Sequence, residues 1–137
     1  MFIKNYASRP DEAKNIRIEV FVNEQGFKEE FDDIDDISTH LVCFDNDKAV
    51  ATMRFYTHDN SKYYIGRLAV IKSYRGRGIG SLIIKEAERL IKERGGVQVM
   101  LHSQCQAQPF YACLGYNAFG ESDFDEDCPH QWMKKSL

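Results

Sequence analysis

The chain has 137 residues, enough for one domain with one hydrophobic core. Hydrophobic residues make up 43% of it and charged residues 28%, values that are ordinary for a soluble globular protein. The net charge of -3 gives no overall basic field, so we expect no nucleic-acid partner, and no long apolar run follows Met1, so we expect neither a signal peptide nor a membrane partner.

Short patterned segments in the first half of the chain predict a helix and several strands. The first six residues form an apolar edge strand, and residues 10–22 predict a helix that begins at Pro10 and places Ile16 and Val20 on one face. An acidic connector follows. Residues 39–45 and 49–57 predict a β-hairpin, and residues 63–71 predict a third strand, which is nearly continuous in apolar residues and is therefore expected to be buried centrally.

The second half predicts a strand–loop–helix–strand unit followed by a short helix and a last strand. Residues 78–94 predict a helix that Gly95 and Gly96 end. Residues 97–103 predict a strand, residues 107–116 a short helix that includes Pro109, and residues 130–135 the last strand. The apolar face of the longer helix is predicted to consist of Ile79, Leu82, Ile83, Ala87, Leu90 and Ile91.

The segment "RGRGIG", residues 75–80, places glycines at 76, 78 and 80 between a strand and a helix. Glycine costs backbone entropy, so this density indicates that a ligand approaches the backbone closely. The first turn of the helix offers free N–H groups and the positive end of the helix dipole, while Arg75 and Arg77 add positive charge. These features predict a phosphate or pyrophosphate site.

Two well-known phosphate loops do not match this segment. The pattern GxxxxGK[ST] fails because the chain has no Gly-Lys pair. The pattern GxGxxG fails because Ser81 or Ile83 stands at the position of its last glycine. The residues alone leave the ligand open, and a loop whose glycines only allow a tight turn is the alternative.

Four cysteines, at positions 43, 105, 113 and 128, form no Cys-x-x-Cys pair. This spacing favours reduced thiols in a cytoplasmic protein over disulfides or a zinc site. Asp123, Asp125 and Asp127 resemble the start of a calcium loop, but Cys128 replaces its required glycine and Lys134 its closing glutamate. We therefore expect a cytoplasmic location and no metal site.

Two motifs together resemble the GNAT superfamily of N-acetyltransferases. The run from Arg75 to Gly80 matches its acetyl-CoA signature [QR]-x-x-G-x-[GA], and the segment from Ala107 to Tyr116 matches A-x-x-x-Y-x-x-x-G-[FY]. The resemblance covers nearly the whole chain. Residues 17–26, 32–41 and 125–133 further resemble the ElaA-like subgroup.

The resemblance implies one GNAT domain over residues 1–137 with an α+β fold, a mixed sheet flanked by helices. It implies direct transfer of an acetyl group from acetyl-CoA, as cosubstrate and without a metal, to a primary amine in a ternary complex. The acceptor would be a small-molecule or peptidyl amine. The sequence leaves the oligomeric state open, and a homodimer is compatible with it.

The resemblance also assigns the cofactor-binding residues. The main chain of the third strand would pair with the pantetheine amides like an added strand, and the glycine loop would bind the pyrophosphate. Gln104 stands where many members carry asparagine, which leaves its contact with the pantetheine arm open. The expected set is Leu68, Ala69, Val70, Arg75, Gly76, Arg77, Gly78, Ile79, Gly80, Ser81 and Gln104.

Catalytic and acceptor residues follow from the same resemblance. Tyr111 is expected to protonate the departing thiolate, and Glu24, or a water relay, to take the proton of the amine. Gln25, His40 and His130 are expected to bind the acceptor. The acidic segments 29–36 and 121–127 would attract a cationic amine if they rim its cleft, and otherwise they form a solvated face.

Two alternatives remain open. Residues 17–27 also resemble the N-terminal segment of acyl-homoserine-lactone synthases, which would make the protein another acyltransferase of the same fold. A non-catalytic CoA-binding module would keep the glycine loop without the chemistry.

Arg54 and Arg67 lie in predicted strands and need carboxylate partners, for which Glu19, Glu24 and Asp35 are candidates.

Overall fold

The computed structural model describes residues 1–28, 31–126 and 128–137. Within these ranges, one sheet is flanked by three α-helices. The strands are β1 (Phe2–Tyr6), β2 (Thr39–Asp45), β3 (Lys48–Thr57), β4 (Lys62–Val70), β5 (Gln98–Gln104), β6 (Asn117–Ala118), β7 (Asp123–Asp125) and β8 (Cys128–Ser136). The helices are α1 (Asp11–Arg17), which continues as a π-helix (Ile18–Glu24), α2 (Ile79–Glu93) and α3 (Gln108–Cys113), and 3₁₀ turns cover Asp33–Ile37, Lys72–Tyr74 and Cys105–Ala107.

The strands lie in the order β1-β2-β3-β4-β5-β8-β6, and β7 also pairs with β8. Every pairing is antiparallel except that of β4 with β5. A parallel pair needs a crossover connection, which α2 supplies between these two strands. The predicted mixed sheet flanked by helices is confirmed, whereas the short strands β6 and β7 were not predicted.

Strand β4 bends at a β-bulge and then leaves its parallel neighbour. Its register against β3 shifts between Thr52 and Arg54, and Arg67 at this point has a φ of 53°. The pairing of β4 with β5 ends at Ile65, so the remaining half of β4 has a free edge on that side. The strand lies centrally in the sheet, between β3 and β5, as predicted, but its burial is not continuous, since only Ala69 is buried after β4 leaves β5.

The predicted helix of residues 10–22 is present, but its hydrogen bonding changes from α to π after Arg17. Ala13, Ile16 and Val20 on its inward side are buried against the sheet. A π-helical segment widens the helix and often lies at a functional site. No helix in the described ranges is long and apolar enough to cross a membrane.

Helix α2 packs on the sheet through an apolar stripe that follows helical spacing. Leu82, which was predicted to face the core, is 45% exposed. A Cβ atom at Gly96, just past the helix, would lie 2.4 Å from Ile91 and 2.8 Å from Tyr63, so only glycine fits there. The buried stripe of the helix consists of Ile79, Ile83, Ile84, Ala87 and Ile91.

A buried ion network joins α1, the turn before β2, and strands β3 and β4. Asp35 accepts hydrogen bonds from Arg17 Nη1 at 2.8 Å and from Arg54 Nη1 at 2.9 Å. Arg54 also donates to Asp32 at 2.6 Å, and Arg67 contacts the same carboxylate at 3.3 Å. Asp35 is thus a partner that the sequence predicted, whereas Asp32 was not predicted.

Candidate active site

The glycine loop has a backbone that only glycine adopts without strain. Gly76 has a φ of 78° and Gly78 a φ of 77°, both in the left-handed region. Gly78 is also the N-cap residue of α2. Gly80 differs, because its backbone is not left-handed but a Cβ there would lie only 3.1 Å from the Phe110 ring, which would have to shift slightly.

The N–H groups of this loop point to no acceptor of the described chain. The first intrahelical bond runs from Leu82 N to Gly78 O at 3.1 Å, and the backbone N–H groups from Gly76 to Ser81 donate to no described residue. A row of unsatisfied donors at the positive end of a 15-residue helix is a favourable position for an anion. Phosphate oxygens are suitable acceptors for it.

A cavity, here called the loop cavity, lies over this loop and over the free edge of β4. The structure brings nearly all of the predicted cofactor-binding residues to it. Arg77 and Gln104 are the exceptions. The Arg77 guanidinium stacks on the Tyr74 ring, 4.7 Å from the ring centre, and Gln104 lines the second cavity described below. The predicted residues that line the cavity are Leu68, Ala69, Val70, Arg75, Gly76, Gly78, Ile79, Gly80 and Ser81.

Glu24 lies beside the loop and is held by Arg75. The Arg75 guanidinium donates to both Glu24 oxygens, with Nη2 2.7 Å from Oε1, while its Nε donates to the Val70 carbonyl at 2.9 Å. The hydrogen bond from Arg75 lowers the pKa of Glu24 below its ordinary value. Glu24 does not line the cleft described next, and we therefore do not retain it as the base.

A second cavity of about 240 Å³, here called the central cleft, opens where β4 and β5 separate. Gln25, Leu68 and Phe110 line both cavities, so the two are adjacent. A ligand anchored in the loop cavity can therefore extend along β4 into the cleft. The polar and titratable residues that line the cleft are Gln25, Arg67, His102, Ser103, Gln104, Tyr111, Asp125 and His130.

Tyr111 projects from α3 into this cleft. Its ring packs edge-on against Phe110 and Tyr116, with centroid distances of 5.0 and 6.0 Å. Burial raises the pKa of the Tyr111 phenol, so the proton stays on the oxygen at neutral pH. The hydroxyl bonds to none of the described residues, which leaves it available to a ligand, whereas the Tyr116 hydroxyl donates to Glu88 at 2.7 Å.

Gln25 and Gln104 meet at the junction of the two cavities. Gln104 Nε2 donates to Gln25 Oε1 at 2.8 Å, and Gln106 Nε2 donates to Gln104 Oε1 at 2.6 Å. The end of the π-helix is thereby tied to the end of β5. The arrangement places two predicted residues, one from the cofactor set and one from the acceptor set, in direct contact.

His40 does not reach the cleft, contrary to expectation. It is 1% exposed on β2, and its Nε2 lies 3.0 Å from the Asp35 carbonyl oxygen, which holds it within the buried ion network. Burial lowers the pKa of His40 despite this hydrogen bond, so the ring stays neutral. His130, by contrast, lines the cleft and is 5% exposed.

The acidic segments contribute to the outer mouth of the cleft but do not form a uniformly acidic rim. Asp32, Asp125 and Glu126 line this mouth together with Lys28 and Arg67. The Glu126 carboxylate accepts hydrogen bonds from the backbone N–H of Lys28 at 3.1 and 3.2 Å. Glu29, Glu30 and Asp127, which also belong to these segments, lie outside the described residues.

Several cleft residues were not predicted, of which His102 is the most informative. His102 lies two residues before Gln104 on β5, so strand alternation places both side chains on the same face of the sheet. That alternation could have identified it from the sequence. Arg67 was assigned only a structural partner, and nothing in the sequence indicated its place in the cleft.

Comparison with known proteins identifies the family. The acetyltransferase (GNAT) domain family matches residues 7–137. The uncharacterized N-acetyltransferase YjcF of Bacillus subtilis (strain 168) is 36% identical over 127 residues, 90% of each chain. A provisionally assigned N-acetyltransferase of Lactobacillus plantarum superposes with a TM-score of 0.91 at 30% identity over 99% of this chain and 97% of that one, and Escherichia coli ElaA with 0.85 at 25% over 98% of each. The chain therefore belongs to the GNAT acetyltransferase family.

Proposed function

We propose that this acetyltransferase moves an acetyl group from acetyl-CoA to a primary amine of a small molecule or a peptide. The observation that carries the proposal is the adjacency of two features along β4. An anion site of free N–H groups, Gly76 to Ser81, lies at one end, and a cleft that contains Tyr111 lies at the other. A ligand with a pyrophosphate, an amide-containing arm and a reactive end matches the order of the loop, the β4 edge and the cleft.

The cosubstrate would bind along the free edge of β4. The loop N–H groups would hold the pyrophosphate, and the main chain of Leu68 to Val70 would pair with the pantetheine amides, because β5 does not occupy that edge. Gln104 is placed to contact the far end of the arm or the acceptor. The thioester would then lie in the central cleft, beside Tyr111.

The chemistry is an addition followed by an elimination. The neutral amine nitrogen attacks the thioester carbonyl carbon, and a backbone N–H of the β4 edge stabilises the oxyanion that forms. The C–S bond then breaks, and Tyr111 donates its proton to the CoA thiolate. The nitrogen loses its extra proton, so the products are an amide and free CoA thiol.

Replacing Tyr111 by phenylalanine should lower kcat by roughly 10- to 100-fold, with little change in the KM for acetyl-CoA. The effect should stay moderate because a thiolate is a fair leaving group without protonation. Stopped assays of thiol release measure both constants. Tyr56→Phe, at a tyrosine that stacks on Tyr64 and lines neither cavity, is the control. An equal kcat for Tyr111→Phe and wild type would remove Tyr111 from the mechanism.

Replacing Glu24 by glutamine should weaken acetyl-CoA binding about two- to fivefold and leave kcat nearly unchanged. Glu24 fixes the Arg75 side chain, which in turn contacts the Val70 carbonyl, so its loss should loosen the loop without touching the chemistry. Calorimetric titration with acetyl-CoA gives the affinity. A large fall in kcat, with a changed pH profile, would instead return Glu24 to the role of base.

The experiment that tests the function combines binding and turnover. Calorimetry with acetyl-CoA should show binding to the purified protein, and a panel of small-molecule and peptide amines should release CoA thiol in its presence. Binding without turnover on any amine would favour a CoA-binding module. The family match favours acetyl transfer over acyl-homoserine-lactone synthesis. Within the family we propose the ElaA-like subgroup, which the 25% identity to Escherichia coli ElaA supports, and for the protein a cytoplasmic location.

A further inference from the structure

His102, which lines the central cleft, is paired with Asp123 and has no role in the mechanism so far. His102 Nε2 is 2.6 Å from Asp123 Oδ1. We propose that His102, oriented by Asp123, is the base that removes the proton from the acceptor amine. The inference rests on the proposed acetyl transfer, which requires a neutral amine, and it supplies the group for which Glu24 is wrongly placed.

The strand register brings these groups together on one face of the sheet. Asp123 on β7 lies opposite His130 on β8, which lies opposite Gln104 on β5. His102 lies two residues earlier on β5, opposite Trp132. Because residues two apart on a strand share a face, these side chains stand on one face of the sheet. Of them, His102, Gln104 and His130 line the cleft, and Asp123 and Trp132 contact His102 from outside it.

The hydrogen bonds assign the protons on both imidazoles. A carboxylate only accepts, so the hydrogen of this bond belongs to His102 Nε2, and the lone pair of Nδ1 is free to take a proton. His130 Nδ1 lies 2.9 Å from the Cys128 carbonyl oxygen, another pure acceptor, so its Nε2 carries the lone pair. Each ring therefore presents one proton-accepting nitrogen.

Orientation and access select His102 rather than His130 as the base. The Asp123 carboxylate fixes the His102 ring and its tautomer, as the carboxylate of a catalytic triad does. His130 bonds to a backbone carbonyl instead of a carboxylate, and it is only 5% exposed. The two rings lie 4.7 Å apart.

Packing holds the His102 ring still. It stacks between Trp132 and His130, with both centroid distances at 4.7 Å. A fixed ring is useful to a base because proton transfer requires a defined geometry. The other charged or titratable side chains that line the cleft around it are Arg67, Tyr111, Asp125 and His130.

The proton balance of the reaction is complete with this assignment. The acceptor ammonium gives one proton to His102 Nδ1 and becomes a neutral amine, which attacks the thioester carbon. The C–S bond breaks, Tyr111 protonates the thiolate, and the second proton lost by the nitrogen restores the Tyr111 phenol. His102 returns its proton to the solvent, so one proton is released for each amide formed.

The test is the pH profile of kcat/KM for one amine with three variants and the wild type. His102→Gln should lower kcat/KM at neutral pH at least about 100-fold, and its remaining activity should rise steadily with hydroxide concentration. Asp123→Asn, at a side chain that is 52% exposed and tolerant of change, should lower kcat/KM about tenfold, because the His102 ring loses the carboxylate that orients it. His58→Gln, an exposed histidine outside the cleft, should match the wild type.

Acetyl-CoA affinity and chemical rescue distinguish a base from a structural residue. His102→Gln should bind acetyl-CoA as the wild type does, and added imidazole should restore part of the activity of His102→Gly. If His102→Gln had the same rate and the same pH profile as the wild type, this inference alone would be overturned. Absence of wild-type turnover on every amine would overturn the proposed function, and this inference with it.

Discussion

Asparagine in place of Asp35 should lower the free energy of unfolding by about 3–5 kcal/mol, the usual cost of breaking a buried ion pair from one side. The Asp35 side chain is 5% exposed, and it accepts hydrogen bonds from Arg17, which is 1% exposed, and from Arg54, which is 7% exposed. Asparagine keeps the shape of the side chain but removes its charge. Two buried guanidinium groups would then lose a shared carboxylate.

The same substitution should alter the pH dependence of stability. Burial alone would raise the pKa of Asp35, but the hydrogen bonds and charges of Arg17 and Arg54 outweigh it and hold the pKa well below its ordinary value. A lowered pKa in the folded state means that the pair stabilises the protein above the pKa of the unfolded chain, about 4, and that this stabilisation is lost as the pH falls through lower values. The wild type should lose this part of its stability in acid, whereas the variant should not.

Urea denaturation at pH 7 and at several acidic pH values measures both effects. Asp36→Asn, at the adjacent exposed position, is the matched control and should stay within about 0.5 kcal/mol of the wild type. Equal unfolding free energies for the two variants at pH 7 would show that the network does not stabilise the fold. A second variant, Asp35→Glu, keeps the charge and should recover part of the loss.

The buried ion network also helps to position a residue of the central cleft. Asp32, held by Arg54, contacts Arg67 at the β4 bulge, and Arg67 lines the central cleft. Arg67 is therefore fixed at the bulge, where β4 leaves β5. Loosening the network should disturb the cleft as well as the core.

Local patterns in the sequence predicted the parts of the site that local structure determines. The glycine loop is one continuous segment whose backbone conformation follows from its residues, so Gly76 and Gly78 were placed correctly at a strand-to-helix turn. Tyr111 also lies in a short helix that its own motif predicts. Neither feature depends on a distant partner.

Features that depend on distant partners were missed or misplaced. Nothing in the sequence indicates that Arg75 is the partner of Glu24. In the structure this arginine, 51 residues away, binds its carboxylate, so Glu24 holds the arginine instead of acting as a base. His40 follows strand alternation into the core, where Asp35 and two arginines surround it. His102 and Asp123 lie 21 residues apart, and they meet only because β7 pairs with β8. Strand β7 has only three residues, too few to give a recognisable strand pattern in the sequence.

Glutamate in place of Gly78 should weaken acetyl-CoA binding roughly 100-fold or more. No atom lies within 4 Å of a Cβ built at this glycine, so the side chain has room, but it extends from the row of N–H groups that would hold the pyrophosphate. Two like charges about 5 Å apart near a protein surface repel by about 3 kcal/mol, and each 1.4 kcal/mol is a tenfold loss of affinity. Calorimetric titration of the folded variant measures the change.

Gly95→Glu is the control that separates the effect of a charge at the glycine loop from the effect of backbone strain. Gly95 has a φ of 90° and open space around its Cβ position, as at Gly78, but it lies beyond the other end of α2, about 25 Å along the helix. Both variants should lose about 1–2 kcal/mol of stability through the left-handed backbone, and only Gly78→Glu should lose affinity. Gly78→Ala, strained but uncharged, should bind far better than Gly78→Glu. If Gly78→Glu and Gly95→Glu bind acetyl-CoA equally well, the pyrophosphate does not lie on this loop.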